Sequence, residues 1–186
     1  MKAVRYNLKY GADQVKMMAT GGVMSMGNDP KCSEFTLEEM RAAVDIARSR
    51  GKITSAHAHG SEGIKVAVRA GITSVEHGML MDDECVELMA QHGTWLIPTI
   101  IAGKSIAEGA QYGLPAWMCE KSEQVIGGFQ EKLAKCRRAG IRIGFGIDAG
   151  TNYNFHGQQT REFRYMYDFG FAPLEILTAA TRVNAQ

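Results

Sequence analysis

Apolar and polar positions along this chain follow a repeating rhythm: a helix-spaced stripe, a glycine, then a short apolar run. Residues 1–10 begin it, with Val4 and Leu8 four apart on one helical face. Gly11 is placed to end that helix in a left-handed conformation, and residues 14–20 read as a strand. Thr36 and Glu39 form a capping-box pattern. After them Leu37, Met40, Ala43, Val44 and Ala47 recur at helical spacing as far as Gly51. The stretch Ile53-Thr54-Ser55-Ala56-His57-Ala58-His59-Gly60 starts apolar and reads as a buried strand. A short helix ends at Gly71, and Ile72-Thr73-Ser74-Val75-Glu76-His77-Gly78 repeats the strand. Asp82 caps a helix carrying Cys85, Val86, Leu88 and Met89, which Gly93 ends. Residues 94–99 are the next strand, with Pro98 near its end, where a missing N–H is tolerated. Residues 102–114 read as Gly-rich and irregular, and residues 115–139 as one long helix with Pro115 at its first position. Residues 141–148 are the last strand. A helix over residues 158–169 and another starting at Pro173 follow.

Strands alternating with helices predict an α/β fold with a parallel sheet and right-handed crossovers. The strands are apolar almost throughout, as expected when helices or other layers cover both faces. Five strands suit either an open doubly wound sheet or part of a (β/α)8 barrel. No G-x-G-x-x-G or G-x-x-x-x-G-K-[ST] follows a strand, so the phosphate fingerprints of nucleotide-binding open sheets are missing. A whole barrel takes about 250 residues. This chain has 186 residues and five of the eight strands.

Composition narrows the function classes. Hydrophobic residues are 45% and charged residues 22%, which is globular composition. A net charge of +1 without a basic block gives no reason to expect nucleic acid or an anionic membrane as partner. No apolar run approaches the roughly 18 residues of a membrane helix, and residues 1–6 lack the apolar core of a signal peptide. Cys32, Cys85, Cys119 and Cys136 are scattered with no C-x-x-C, which predicts free thiols in a reducing, cytoplasmic setting.

The candidate chemistry stands at strand ends. Side chains alternate along a strand, so His57 and His59 point the same way. By the same rule Glu76 points away from His77. Lys16, His57, His77 and Asp148 each interrupt an apolar strand, where a buried polar group needs a partner. In a barrel, catalytic groups gather at the C-terminal ends of strands, and two histidines with a carboxylate suit zinc. The loop running to Phe35 is long enough to be a functional βα loop. His92 closes a helix and reads as structural; Met17, Met18, Met24 and Met26 read as packing.

Four motifs, in order and spanning essentially the whole chain, resemble the amidohydrolase superfamily. They are Val15-Lys16-Met17-Met18-Ala19-Thr20-Gly21-Gly22, Ala56-His57-Ala58-His59-Gly60, Val75-Glu76-His77-Gly78 and Gly146-Ile147-Asp148-Ala149-Gly150. Within it the resemblance is to the imidazolonepropionase-like and prolidase-like (Xaa-Pro dipeptidase) branch. It implies a barrel around two zinc ions bridged by a carboxylated lysine, here Lys16. It assigns His57 and His77 to the more exposed metal, and Asp148 to the buried metal and to general-base catalysis. A bridging water of lowered pKa would attack the scissile carbonyl, and Asp148 would carry its proton to the leaving amine. His59 and His156 are expected to contact the substrate. The activity implied is hydrolysis of C–N bonds in N-acyl amino acids or dipeptides. A mononuclear deaminase or imidazolone-type ring hydrolase is the alternative within the superfamily.

The chain departs from that pattern in one large respect. No H-x-H pair precedes Lys16 to supply the buried metal. Residues 1–186 are therefore expected to be the C-terminal half of the barrel domain, without strands one to three and without the family's β-sandwich. His57-Ala58-His59 does not substitute for the missing pair, because Lys16 precedes it. Such a half-barrel is expected to be weakly active or a non-enzymatic fragment, or alternatively to pair edge to edge as a homo-oligomer that hides its core.

Overall fold

The computed structural model describes residues 1–24, 26–27, 29–151 and 153–186; Ser25, Asn28 and Asn152 lie outside the described residues. Strands β1 (Gln14–Met18), β2 (Ile53–Gly60), β3 (Ser74–Leu80) and β4 (Trp95–Ile97) form one parallel sheet in the order β1-β2-β3-β4. Helices α2 (Leu37–Arg48), α3 (Ser61–Ala70) and α4 (Asp83–His92) make the crossovers. Residues 141–148 continue the series without forming a regular strand. Leu96 N–H donates to the Arg142 carbonyl at 3.0 Å and Gly144 N–H to the Leu96 carbonyl at 2.9 Å, a single parallel bridge. Each strand thus lies beside its predecessor and the order never reverses. A doubly wound sheet requires such a reversal; unidirectional winding is the wall of a (β/α) barrel.

Local chemistry explains most of the elements. Helix α1 (Lys2–Lys9) precedes β1. Thr36 and Glu39 form the full capping box at the start of α2, and Asp82 accepts the Cys85 N–H at 2.9 Å to cap α4; such caps stabilise by about 1 kcal/mol each. The glycines between helix and strand, at positions 11, 51, 71, 93 and 140, all have positive φ. Two expectations about the helices fail. Residues 102–114 are not irregular: α5 (Ile100–Ala107) and a 3₁₀ turn (Glu108–Tyr112) occupy this stretch. Buried Ile100, Ile101, Ala102 and Ile106 outweigh the helix cost of Gly103, whose missing Cβ would come within 3.2 Å of Met79 and Ile126. The long helix is two helices, α6 (Ala116–Ile126) and α7 (Phe129–Arg138), because left-handed Gly128 at φ 73° interrupts the helical backbone between them. Helices α8 (Thr160–Asp168) and α9 (Pro173–Thr178) follow, the latter running into a π turn at Ala179–Val183.

The core lies between the sheet and its helices. Val15, Met17, Ala56, Ala58, Val75 and Leu96 pack there with side chains from α2, α3, α4 and α7. The other face is not covered throughout, which corrects the expectation of strands buried on both sides. On β1, Gln14, Lys16 and Met18 are exposed in alternation with buried Val15 and Met17. That open face carries the candidate site at its C-terminal edge. The four cysteines are free thiols, Cys32 exposed and the others buried. Among the described residues, no helix is long and apolar enough to cross a membrane.

Candidate functional site

The end of β2 is held by the start of the β1–α2 loop. Ala19 N–H donates to the His57 carbonyl at 2.8 Å, and His59 N–H donates to Thr20 Oγ1 at 3.0 Å. His57 Nε2 lies 3.3 Å from the Gly21 carbonyl. His57 and His59 share a face as alternation requires, with ring centres 4.8 Å apart, edge to face. Both are buried.

His77 arrives by a less regular route. Register pairs His57 with Glu76 and Ala58 with His77, so strict alternation would send His77 to the helix-covered face. Its backbone instead adopts φ 72°, and the β2–β3 register shifts just beyond. The ring ends 4.7 Å from that of His57 and stacks on His59 at 5.1 Å. Its Nδ1 forms a 2.5 Å hydrogen bond with Thr99 Oγ1. Glu76 is therefore not turned away from the site: it stands in register with His57, and the charges of Lys16 and Asp148 both act on it.

Asp148 sits on a turn at φ 52°. Buried Asn154 builds that turn, its amide donating to the carbonyls of Ile147 and Asp148. Lys16, His57, His59, His77 and Asp148 all line one cavity of about 310 Å³. Val23, Met79, Ala102 and Ile106 give it an apolar wall. Lys16 and Asp148 are exposed rather than buried, since the sheet face they stand on is open.

Burial sets the protonation states. It lowers the pKa of His57, drives that of His77 well below the ordinary histidine value and takes His59 down to about 3. The rings also repel each other's charge. Burial raises Glu76, opposed by the Ser74 hydroxyl and by Lys16.

Three neutral imidazoles facing a carboxylate are the donor chemistry that a borderline divalent cation such as zinc takes. His59 Nδ1 is buried and has no hydrogen-bond partner among the described residues, as a nitrogen awaiting a ligand would be. The donors fit in kind. They do not already converge: no three His, Cys, Asp or Glu side chains among the described residues are grouped closely enough to hold an ion.

Of the six residues singled out from the sequence, five meet at this cavity. His156 does not line it; it is exposed in the loop after Asp148, beside Gly150. Sequence reasoning missed Thr99, Asn154 and Glu162. The last left a legible trace, being an acidic residue four before buried Met166 on the apolar side of α8.

The whole chain, residues 1–186, matches the family described as the Amidohydrolase family. Ochratoxinase of Aspergillus niger is 32% identical over 181 residues, which is 97% of this chain and 37% of the ochratoxinase. A crystal structure of a Xaa-Pro dipeptidase with methionine bound in its active site superposes with a TM-score of 0.88 at 37% identity, covering 99% of this chain and 46% of that one. A prolidase complexed with N-methylphosphonate-L-proline gives 0.89 at 33% identity, covering 99% and 45%. The chain thus spans less than half the length of these relatives.

Proposed function

Because the chain belongs to the amidohydrolase family, we propose that it carries part of the active site of a metal-dependent hydrolase of C–N bonds, acting on N-acyl amino acids or dipeptides. One observation carries this reading: His57, His59 and His77, held neutral by burial, share a cavity with Lys16 and Asp148. A divalent metal, zinc by the character of these donors, would supply an electrophile for the scissile carbonyl and acidify a water. His57 and His77 are the ligands, oriented by the Gly21 carbonyl and the Thr99 hydroxyl. Lys16, once carboxylated on its amine by carbon dioxide, and Asp148 would complete the set of residues that hold the metal.

Asp148 also has the exposure and position of a general base. It takes a proton from the attacking water and returns it to the amine that leaves. His59, neutral by burial, lines the cavity beside the substrate. The apolar wall receives the acyl or side-chain group, while the two strand-end charges flank the polar bond. Ochratoxinase and the Xaa-Pro dipeptidase among the relatives support this substrate class.

A second reading has its own observation. The three imidazoles pack against one another, an arrangement that also suits one metal, as in a mononuclear deaminase or cyclic-amide hydrolase. Metal content of the full-length protein separates the two. The first reading expects two ions per chain and release of amino acids from N-acyl substrates. Activity should be lost to chelator and in Lys16→Ala and Asp148→Asn. Undiminished activity in those variants sinks it; one ion per chain with bicarbonate-independent activity selects the second.

A further inference from the structure

We propose that Glu162, on α8, is the positioning residue for the His77 ring, acting through the first turn of α5. Its carboxylate is fully buried. One oxygen accepts the Ile100 N–H at 2.9 Å and the other the Ile101 N–H at 2.7 Å. These are among the N–H groups that a helix start leaves without intrahelical partners.

A Thr at the N-cap ordinarily satisfies such groups with its own hydroxyl, from an extended backbone. Thr99 holds the N-cap of α5 but does not cap it: its backbone is left-handed, φ 44° and ψ 50°, and its side chain makes no capping bond. That conformation is strained for a β-branched residue, so something outside Thr99 has to impose it. Glu162 takes over the capping task from some sixty residues away in the chain. The Thr99 hydroxyl is thereby free to bond His77 Nδ1. That bond sets which His77 nitrogen faces the cavity and how the ring is turned. Helix α8 also follows directly on the loop carrying Asp148, so one carboxylate ties the Asp148 side of the site to the His77 side.

His77's role as a ligand rests on the function proposed above; the placement of its ring does not, and the test separates the two. Side-chain nitrogen NMR of the metal-free full-length protein reads the His77 ring directly, with His92, outside the site, as internal control. Thr99→Val removes the hydroxyl and leaves the amides capped. Glu162→Gln keeps the shape but sets an amide nitrogen against one N–H. Both variants are expected to shift the His77 Nδ1 signal in the same direction, the double variant no further than either alone, with His92 unmoved. Glu162→Asp keeps the carboxyl group but cannot span both amides, and should give a smaller shift of the same sign. Cobalt affinity should fall about tenfold in Glu162→Gln. A folded Gln or Asp variant with the wild-type His77 signal overturns the proposal. So does failure of both to fold, which makes Glu162 a structural residue only. Wild-type protein that binds no cobalt, with the NMR shifts as expected, overturns the metal reading alone.

Discussion

The rings of His57 and His77 lie 4.7 Å apart although their residues are not register partners. A left-handed backbone at His77, φ 72°, with Gly78 next to it at φ 67°, rolls the strand by one side-chain position. His77 then lines the cavity while its neighbour Glu76 stands in register with His57, an arrangement a regular strand forbids.

Gly78 is the hinge of that roll. A Cβ there would lie 2.6 Å from Met81 Cε and 2.9 Å from Leu96 Cδ1, on a backbone that side-chain-bearing residues rarely adopt. Gly78→Ala should lose about 1–3 kcal/mol of stability and displace the His77 ring. Urea unfolding checks the first; an unchanged midpoint would show that the roll carries no strain.

Gly60, at the end of the histidine strand, has a different constraint. A Cβ would meet backbone, Lys31 Cα at 2.5 Å and the Pro30 carbonyl at 2.8 Å. Its N–H already donates to that carbonyl at 2.9 Å. Backbone cannot rotate away as a side chain can, so Gly60→Ala should lift the β1–α2 loop off the strand end. Faster cleavage within residues 21–35 under limited proteolysis is the expected sign, with a stability loss of about 1–3 kcal/mol.

Acid should destabilise the metal-free site. The unfolded chain binds protons on His57, His59 and His77 near the ordinary 6.5, whereas the folded site refuses them, His59 down to about 3. Between those values the unfolded state holds more protons, so stability falls as pH drops from about 6.5 towards 3. Unfolding midpoints at pH 7.5, 5.5 and 4.5 measure this. Replacing His59 by Gln should flatten the slope; an equally steep slope would mean the loss comes from other groups.

Glu162 titrates the opposite way. Burial pushes its carboxyl up to about 8 from the ordinary 4.5, against the two N–H groups that pull it down. The folded state holds the extra proton across that window, so this contribution to stability is present below about 4.5 and lost as pH rises through 8. Wild-type protein should lose stability relative to Glu162→Gln between pH 6 and 9, read by thermal denaturation at each pH. A constant difference would place the carboxylate as ionised throughout.

Hydrophobic spacing and punctuation by themselves determined the order of helices and strands from α1 to β4. Five helix-ending glycines, two caps and the apolar runs act over a few residues, and tertiary contacts did not override them. Strand-end position likewise placed Lys16, His57 and Asp148 at one cavity, because parallel winding puts every strand's C-terminus on the same edge. Other features needed the third dimension. Helix α5 forms where Gly103 argues against it, because Ile100, Ile101, Ala102 and Ile106 are buried against the rest of the fold. His77 turns inward through a backbone conformation no periodicity reveals. Thr99 gives up its cap only because Glu162 supplies one from α8. Those are contacts between residues far apart in the chain, and it is their packing, not local preference, that decides which way each side chain faces.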